Sequence, residues 1–184
     1  YVNLTNKCCN DCTFCIRNNG DGIGDSGDLW LSREPSSDEV IEAIKRHGEY
    51  AELVFCGYGE PTCRLETVIE TAEWLRSKLN GKVTLRINTN GLGDLINGRS
   101  IAEELCAAVD VVSVSLNAGT EDEYMKVTRP KYEDAFGAMQ KFTADCVKTG
   151  AAEIIMSVVD VIPEEQIKAS REIAEKLGAK LRVR

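Results

Sequence analysis

The strongest constraint on the fold is a regular alternation between short apolar runs and stretches with helical spacing. Six runs rich in Val, Ile and Leu lie at residues 1–5, 51–57, 82–89, 110–117, 152–161 and 180–184. Near-continuous apolar strands are typical of a parallel sheet that is buried on both faces. The runs therefore predict six parallel strands.

The segments between these runs predict five helices. Ser36 followed three residues later by Glu39 indicates a capping box at the start of the first helix. The other four helices are expected at residues 65–79, 99–108, 136–146 and 163–178. The order βαβαβαβαβαβ predicts an α/β fold, either an open doubly wound sheet or a barrel, in one domain of residues 1–184.

Composition and charge restrict the classes of function. The net charge of −8 argues against a broad nucleic-acid-binding surface, which would need clustered Lys and Arg. No apolar run approaches the roughly 18 residues of a membrane span, and no signal peptide is visible. We expect a cytoplasmic protein, a few residues before Tyr1, and further elements after Arg184.

The connection between the first run and the first helix, residues 6–35, is unusually long and carries half of the cysteines. Cys8, Cys9, Cys12 and Cys15 are bunched there, whereas the remaining four cysteines of the eight are scattered in apolar segments. Loops of this length are usually functional, and sites in α/β folds lie at the carboxyl ends of the strands. A tight cluster of cysteines in a cytosolic protein indicates metal binding.

Two spacings can be drawn through the cluster: C-x3-C-x2-C from Cys8, and C-x2-C-x2-C from Cys9. A ferredoxin run would continue as C-x3-C-P, but Asn19 and Gly20 stand there. A structural zinc site would need a second pair of ligands, and none is apparent. Zinc or a redox dithiol is the less favoured alternative to three thiolates on a four-iron cluster with one iron left open.

Several motifs together resemble the radical S-adenosylmethionine (SAM) enzymes. "CCNDCTFC" at 8–15 contains C-x3-C-x2-C with Phe14 before the last cysteine. "FCGYGEPT" at 55–62, "NTNG" at 88–91 and "SVSLNA" at 113–118 are similar to that family's later motifs and occur in the same order. "YVNLTNKCCNDCTFC" and the final "LRVR" resemble the small members that are linked to TatD-type metal-dependent hydrolases.

The resemblance implies a partial (βα)6 TIM-like barrel in which Cys8, Cys12 and Cys15 hold a [4Fe–4S] cluster and Cys9 stands aside. It implies that the amino and carboxylate groups of SAM chelate the fourth iron. An electron from a flavodoxin- or ferredoxin-type donor would cleave SAM to a 5′-deoxyadenosyl radical, which would abstract hydrogen from a substrate. The sequence does not identify that substrate.

The resemblance and the chemistry of the side chains indicate the SAM contacts. Glycines allow a close backbone approach, Glu60 can accept from the SAM ammonium, and Arg129 can meet its carboxylate. For Ser115 and Asn117 a capped strand end is the alternative role, and for Arg129 it is a surface salt bridge. The full predicted set is Phe14, Gly57, Gly59, Glu60, Pro61, Asn88, Thr89, Asn90, Ser115, Asn117, Arg129, Ser157 and Val159.

"GIGDSG" at 22–27 matches G-x-G-x-x-G, but it neither follows a strand directly nor opens a helix, so we expect a flexible loop beside the cluster. The scattered cysteines lack the grouping for a second cluster. A glycyl-radical-activating enzyme, a 7-carboxy-7-deazaguanine synthase-like enzyme and an electron-transfer iron–sulfur protein without SAM chemistry are the alternative functions.

Overall fold

A computed structural model describes residues 1–18, 29–48, 50–79 and 83–184. The "GIGDSG" segment, and with it the expected flexible loop, lies outside the described residues. Within them, five parallel strands form one sheet in the order β1-β2-β3-β4-β5. The strands are β1 (Glu52–Phe55), β2 (Thr84–Thr89), β3 (Val111–Ser115), β4 (Glu153–Val158) and β5 (Lys180–Val183).

Seven α-helices are present in the described ranges. They are α1 (Ser37–Arg46), α2 (Leu65–Leu79), α3 (Gly93–Asn97), α4 (Ala102–Ala108), α5 (Glu121–Thr128), α6 (Ala135–Thr149) and α7 (Glu164–Leu177). Helix α1 begins with the predicted capping box between Ser36 and Glu39. The short helices α3 and α5 were not predicted, because neither has the long apolar stripe that marks the other helices.

The strand order decides between the two predicted architectures. Each strand pairs with the next one in the chain, whereas a doubly wound sheet reverses its order at a switch point. Right-handed crossovers in one direction put every helix on the same side of the sheet, as in a βα barrel. The α/β prediction is therefore confirmed, and the winding is that of a partial barrel.

The first predicted strand, residues 1–5, is wrong as a full strand. It makes one parallel bridge, between Val2 and Phe55, with the Val2 N–H donating to the Val54 carbonyl at 2.8 Å. Strand β1 ends at Phe55, so the residues after Val2 have no further strand backbone beside them. The side chains of Asn3 and Thr5 instead bond to the Leu29 carbonyl and to Glu34.

The core lies between the sheet and the helices. Residues 111–114 of strand β3 are fully covered, and Phe55, Ile87, Leu105, Met139 and Phe142 are among the buried side chains packed around the sheet. Strand β5 is the more exposed edge of the described sheet. None of the helices in the described ranges combines the length and apolar character needed to cross a bilayer.

Candidate functional site

An open cavity of about 570 Å³ lies at the carboxyl ends of the strands. This volume falls within the range typical of small-molecule and cofactor sites. Its wall is formed by the cysteine loop, by the turn after β1, and by residues at the ends of β2, β3, β4 and β5. The described lining residues are Tyr1, Cys8, Asn10, Cys12, Phe14, Cys15, Ile16, Cys56, Gly57, Tyr58, Gly59, Glu60, Asn88, Thr89, Asn90, Ser115, Asn117, Val159 and Arg184.

Most of the residues predicted from sequence meet on this wall, although they come from five separate segments. The three predicted cluster ligands line it together with Phe14, Gly57, Gly59, Glu60, Asn88, Thr89, Asn90, Ser115, Asn117 and Val159. Pro61, Ser157 and Arg129 do not. Pro61 is buried in the first turn of a short 3-10 helix, where it shapes the turn.

Cys8 and Cys9 have different environments. Cys8 lines the cavity, whereas Cys9 is 7% exposed, does not line it, and accepts a hydrogen bond from the Asn90 side chain at 3.2 Å. A hydrogen bond from Cys9 lowers the pKa of Cys8 to about 7 despite its burial. The same bond, together with burial, raises the pKa of Cys9. Of the two, only Cys8 lines the cavity, and its role as the metal ligand stays a prediction.

The cysteine loop is held against the end of α5. The N–H of Asp11 donates to the Thr128 carbonyl at 3.0 Å, and the N–H of Thr13 donates to the Val127 carbonyl at 2.9 Å. The N–H of Lys131 returns a bond to the Cys9 carbonyl at 2.9 Å. These backbone bonds fix the loop against residues that lie far away in the sequence. No local motif predicts this contact.

Arg129 takes part in this support through its backbone and not through its side chain. It ends α5 with a left-handed φ of 45°, and its carbonyl accepts from the Asp11 N–H at 3.3 Å. The residue is exposed and lies off the cavity wall. The structure places Arg129 off the cavity wall, and its contact with the SAM carboxylate stays a prediction.

Glu60 is the only acidic residue among the described residues that line the cavity, and it is 4% exposed. Its Oε1 accepts from the Thr62 N–H at 3.1 Å and from the hydroxyls of Thr62 and Thr89 at 2.8 and 2.7 Å. Its Oε2 accepts from the Asn90 N–H at 2.7 Å. Burial raises the pKa of Glu60, and the hydrogen bonds oppose that rise. The carboxylate therefore braces β2 against the turn after β1, and Oε2 retains room for one more donor.

Gly57 and Gly59 are required by the chain itself. A Cβ at Gly57 would collide with the side chain of Asn3, and one at Gly59 would collide with the carbonyl oxygen of Thr5. The N–H of Glu60 also donates to the Lys7 carbonyl at 2.8 Å. We predicted that these glycines allow a close approach of SAM. In the structure, their lack of side chains allows the first segment and this turn to pack directly on each other.

The cavity wall also carries polar groups at the ends of β3 and β5. Asn117 has a φ of 63°, a conformation that Asn tolerates better than most residues. Ser157 is buried and off the wall, and its hydroxyl accepts from Arg184 Nη2 at 2.9 Å. Arg184 was missed by the sequence analysis, although its place at the end of the last predicted strand was visible. It is the only Arg, Lys or His among the described residues that line the cavity.

The donor set suits a cluster better than a single ion. Among the described residues, no three His, Cys, Asp or Glu side chains converge tightly enough to hold one metal ion. Thiolates of an iron–sulfur cluster bind different iron atoms, so they need not converge on one point. Burial, and after it the charges of Cys8 and Cys15, raises the pKa of Cys12 to about 12. A bound metal centre would offset that repulsion, because its positive charge stabilises the thiolate form that coordinates it.

The fold and the site define a class of protein: an α/β half-barrel with three cysteines in C-x3-C-x2-C spacing at the carboxyl edge of its sheet. The family model "Radical SAM superfamily" matches residues 2–176, so the chain belongs to this superfamily. Members of the superfamily use a [4Fe–4S] cluster and SAM. A search of curated proteins gives no match.

Solved structures share the fold at low sequence identity. A radical SAM methyltransferase from Sphaerobacter thermophilus is 16% identical with a TM-score of 0.70 over 99% of this chain and 53% of its own. SuiB from Streptococcus suis bound to S-adenosylmethionine is 14% identical with a TM-score of 0.69 over 98% of this chain and 37% of its own. HydG, a maturase of the [FeFe]-hydrogenase, is 15% identical with a TM-score of 0.67 over 99% and 41%. The chain thus spans about half or less of the length of these proteins.

Proposed function

We propose that this protein is a radical SAM enzyme whose cavity holds one [4Fe–4S] cluster and one SAM molecule. The observation that carries the proposal is that the three cysteines, the Gly57–Glu60 turn and the polar ends of β2 and β3 share one cavity wall. When bound, the reduced cluster supplies the electron that cleaves the sulfonium of SAM to a 5′-deoxyadenosyl radical. The substrate of that radical is not specified by the cavity wall.

The chain's own residues have separable roles in this proposal. Cys8, Cys12 and Cys15 would hold the cluster and leave one iron open. The free acceptor position on Glu60 Oε2 and the carbonyls of the turn would receive the SAM ammonium. Ser115 and Asn117 would bond the ribose, since both line the cavity with short polar side chains. Phe14 and Val159 would supply apolar contacts.

The test separates Cys8 from its neighbour. The protein is reconstituted without oxygen, iron and sulfide are counted, and 5′-deoxyadenosine is measured after addition of SAM and dithionite. Cys8→Ala is expected to lose the cluster and the product, and Cys9→Ala is expected to keep both. Loss in Cys9→Ala with retention in Cys8→Ala would overturn the ligand set, and a fully loaded cluster without product would overturn the function.

We propose that Arg184, and not Arg129, meets the carboxylate of SAM. It lines the cavity, and one of its nitrogens donates to the Ser157 hydroxyl while the rest of the fork remains available to an anion. Arg184→Met is expected to weaken SAM binding to the loaded protein about tenfold, the loss expected for a charge-assisted bond. Arg129→Met is the matched control and should bind SAM as the unmodified protein does. Equal affinities of the two variants in equilibrium binding would remove Arg184 from the site.

The finer proposals concern partners and subgroup. We propose an external flavodoxin- or ferredoxin-type electron donor. The test replaces dithionite with photoreduced flavodoxin and measures 5′-deoxyadenosine. We also retain the proposal that the protein belongs to the small TatD-linked group, supported by "YVNLTNKCCNDCTFC" and "LRVR". Co-purification with a TatD-type hydrolase from the same organism is the direct test, and independent elution of the two proteins would contradict a physical link.

A further inference from the structure

Hydrogen bonds to the cysteine sulfurs come from both backbone and side chains. The N–H of Asn10 donates to Cys8 Sγ at 3.4 Å, and Nε of Arg17 donates to Cys15 Sγ at 3.4 Å. Both distances are suitable for the large, soft sulfur acceptor. Of these two donors, only Arg17 carries a formal positive charge.

Arg17 also spans the loop that carries the ligands. Its Nη1 donates to the Asn6 carbonyl and its Nη2 donates to the Asn10 carbonyl, each at 3.4 Å. These oxygen contacts are long, so each one alone is weak. Together they use three nitrogen atoms of one rigid, planar guanidinium on three points of residues 6–15, a geometry that Lys cannot reproduce.

A charged donor on a ligand sulfur has a predictable effect on a cluster. One-electron reduction by an external donor adds one negative charge to the cluster and breaks no bond. Hydrogen bonds to the sulfurs and nearby positive charge favour the more negative, reduced form, so they raise the reduction potential. The Arg17 side chain, which donates to Cys15 Sγ, therefore affects how readily the cluster accepts the electron required for SAM cleavage.

We infer that Arg17 is a positioning residue that holds the cysteine loop and raises the reduction potential of the cluster bound by Cys8, Cys12 and Cys15. This inference rests on the proposed function in that Cys15 is taken as a cluster ligand. Arg17 lies outside the C-x3-C-x2-C spacing, and its role is in electron uptake and not in binding substrate.

The test compares Arg17→Met, which removes all donors, with Arg17→Lys, which keeps the charge. Each loaded protein is titrated with reductant while the reduced cluster is followed by electron paramagnetic resonance. In Arg17→Met the ratio of reduced to oxidised cluster at a fixed potential should fall about tenfold, equivalent to about 59 mV for a one-electron couple. Arg17→Lys should recover part of that fall. Arg99→Met, which alters an exposed arginine paired with Glu104, should leave the potential unchanged.

A second measurement covers a variant that fails to load. Hydrogen exchange of residues 6–15 is compared in the metal-free proteins, and it should be faster in Arg17→Met than in Arg99→Met. An unchanged potential in a fully loaded Arg17→Met would overturn the role in tuning, and unchanged exchange would overturn the role in positioning. If the loaded parent protein leaves SAM intact while Arg17→Met still shows the lower potential, the proposed function is contradicted and this inference is supported.

Discussion

At the scale of single residues, Glu60 supports the fold at a position whose motif predicts a contact with the ligand. The sequence indicated an acceptor for the SAM ammonium, but it could not show that four protein donors already converge on this carboxylate. Those donors come from two segments, and they compensate for the burial of a charge that would otherwise be unfavourable. The carboxylate is therefore needed before any ligand arrives.

Substitution of Glu60 by Gln tests this role. In one amide orientation the new NH2 group faces the Thr62 N–H, and in the other it faces the Asn90 N–H, so a buried donor loses its acceptor either way. We expect a loss of about 2 kcal/mol in the free energy of unfolding, measured by denaturant titration of the metal-free protein. Glu42→Gln, on the exposed face of α1, is the control and should change stability by less than about 0.5 kcal/mol. Equal stabilities of the two variants would contradict the bracing role.

At the scale of elements, the turn after β1 and the first segment form a packed pair. Gly59→Ala would push a methyl group against the Thr5 carbonyl oxygen, which is backbone and cannot rotate away. We expect this variant to unfold at lower denaturant and to retain less iron after reconstitution. Gly137→Ala, inside α6, is the matched control, because its methyl group meets only the movable end of the side chain of Asp134, the N-cap residue. That change should be neutral or stabilising, since Ala favours helix over Gly by about 1 kcal/mol.

The same change from Gly to Ala is thus expected to lower stability at residue 59 and to keep or raise it at residue 137. If Gly59→Ala matched Gly137→Ala in stability and in iron content, the close approach at Thr5 would not be a constraint on the fold.

At the scale of the whole molecule, the order of elements was predictable and several contacts across the cavity were not. The strands after the first run and the helices α1, α2, α4, α6 and α7 follow from apolar periodicity, because burial imposes that periodicity on the sequence. Arg17 and Arg184 have no such signal, since their partners are determined by how distant loops pack. Arg129 lies off the cavity wall, because its place depends on how the end of α5 packs, which its sequence motif does not reveal.

Cluster loading should stabilise the entire domain. The cysteine loop bonds to the turn after β1 and to the end of α5, so a cluster that ties Cys8, Cys12 and Cys15 together restrains several elements at once. Because a ligand that binds only the folded state raises stability by mass action, we expect the loaded protein to melt roughly 5 °C higher than the metal-free form. Thermal unfolding under nitrogen measures this difference. Cys8→Ala treated in the same way should show no rise, and a rise there would mean that iron binds elsewhere.

The bond from the Glu60 N–H to the Lys7 carbonyl, beside the contact of Gly59 with Thr5, has a consequence for exchanging parts between relatives. The cysteine loop and the glycine turn are separated by more than forty positions in the printed sequence, yet neither surface is complete without the other. A cysteine loop grafted from another member of the superfamily would fit only if its own glycine turn came with it. The two motifs thus form one structural unit from two separate segments of the chain, and they would have to be exchanged together.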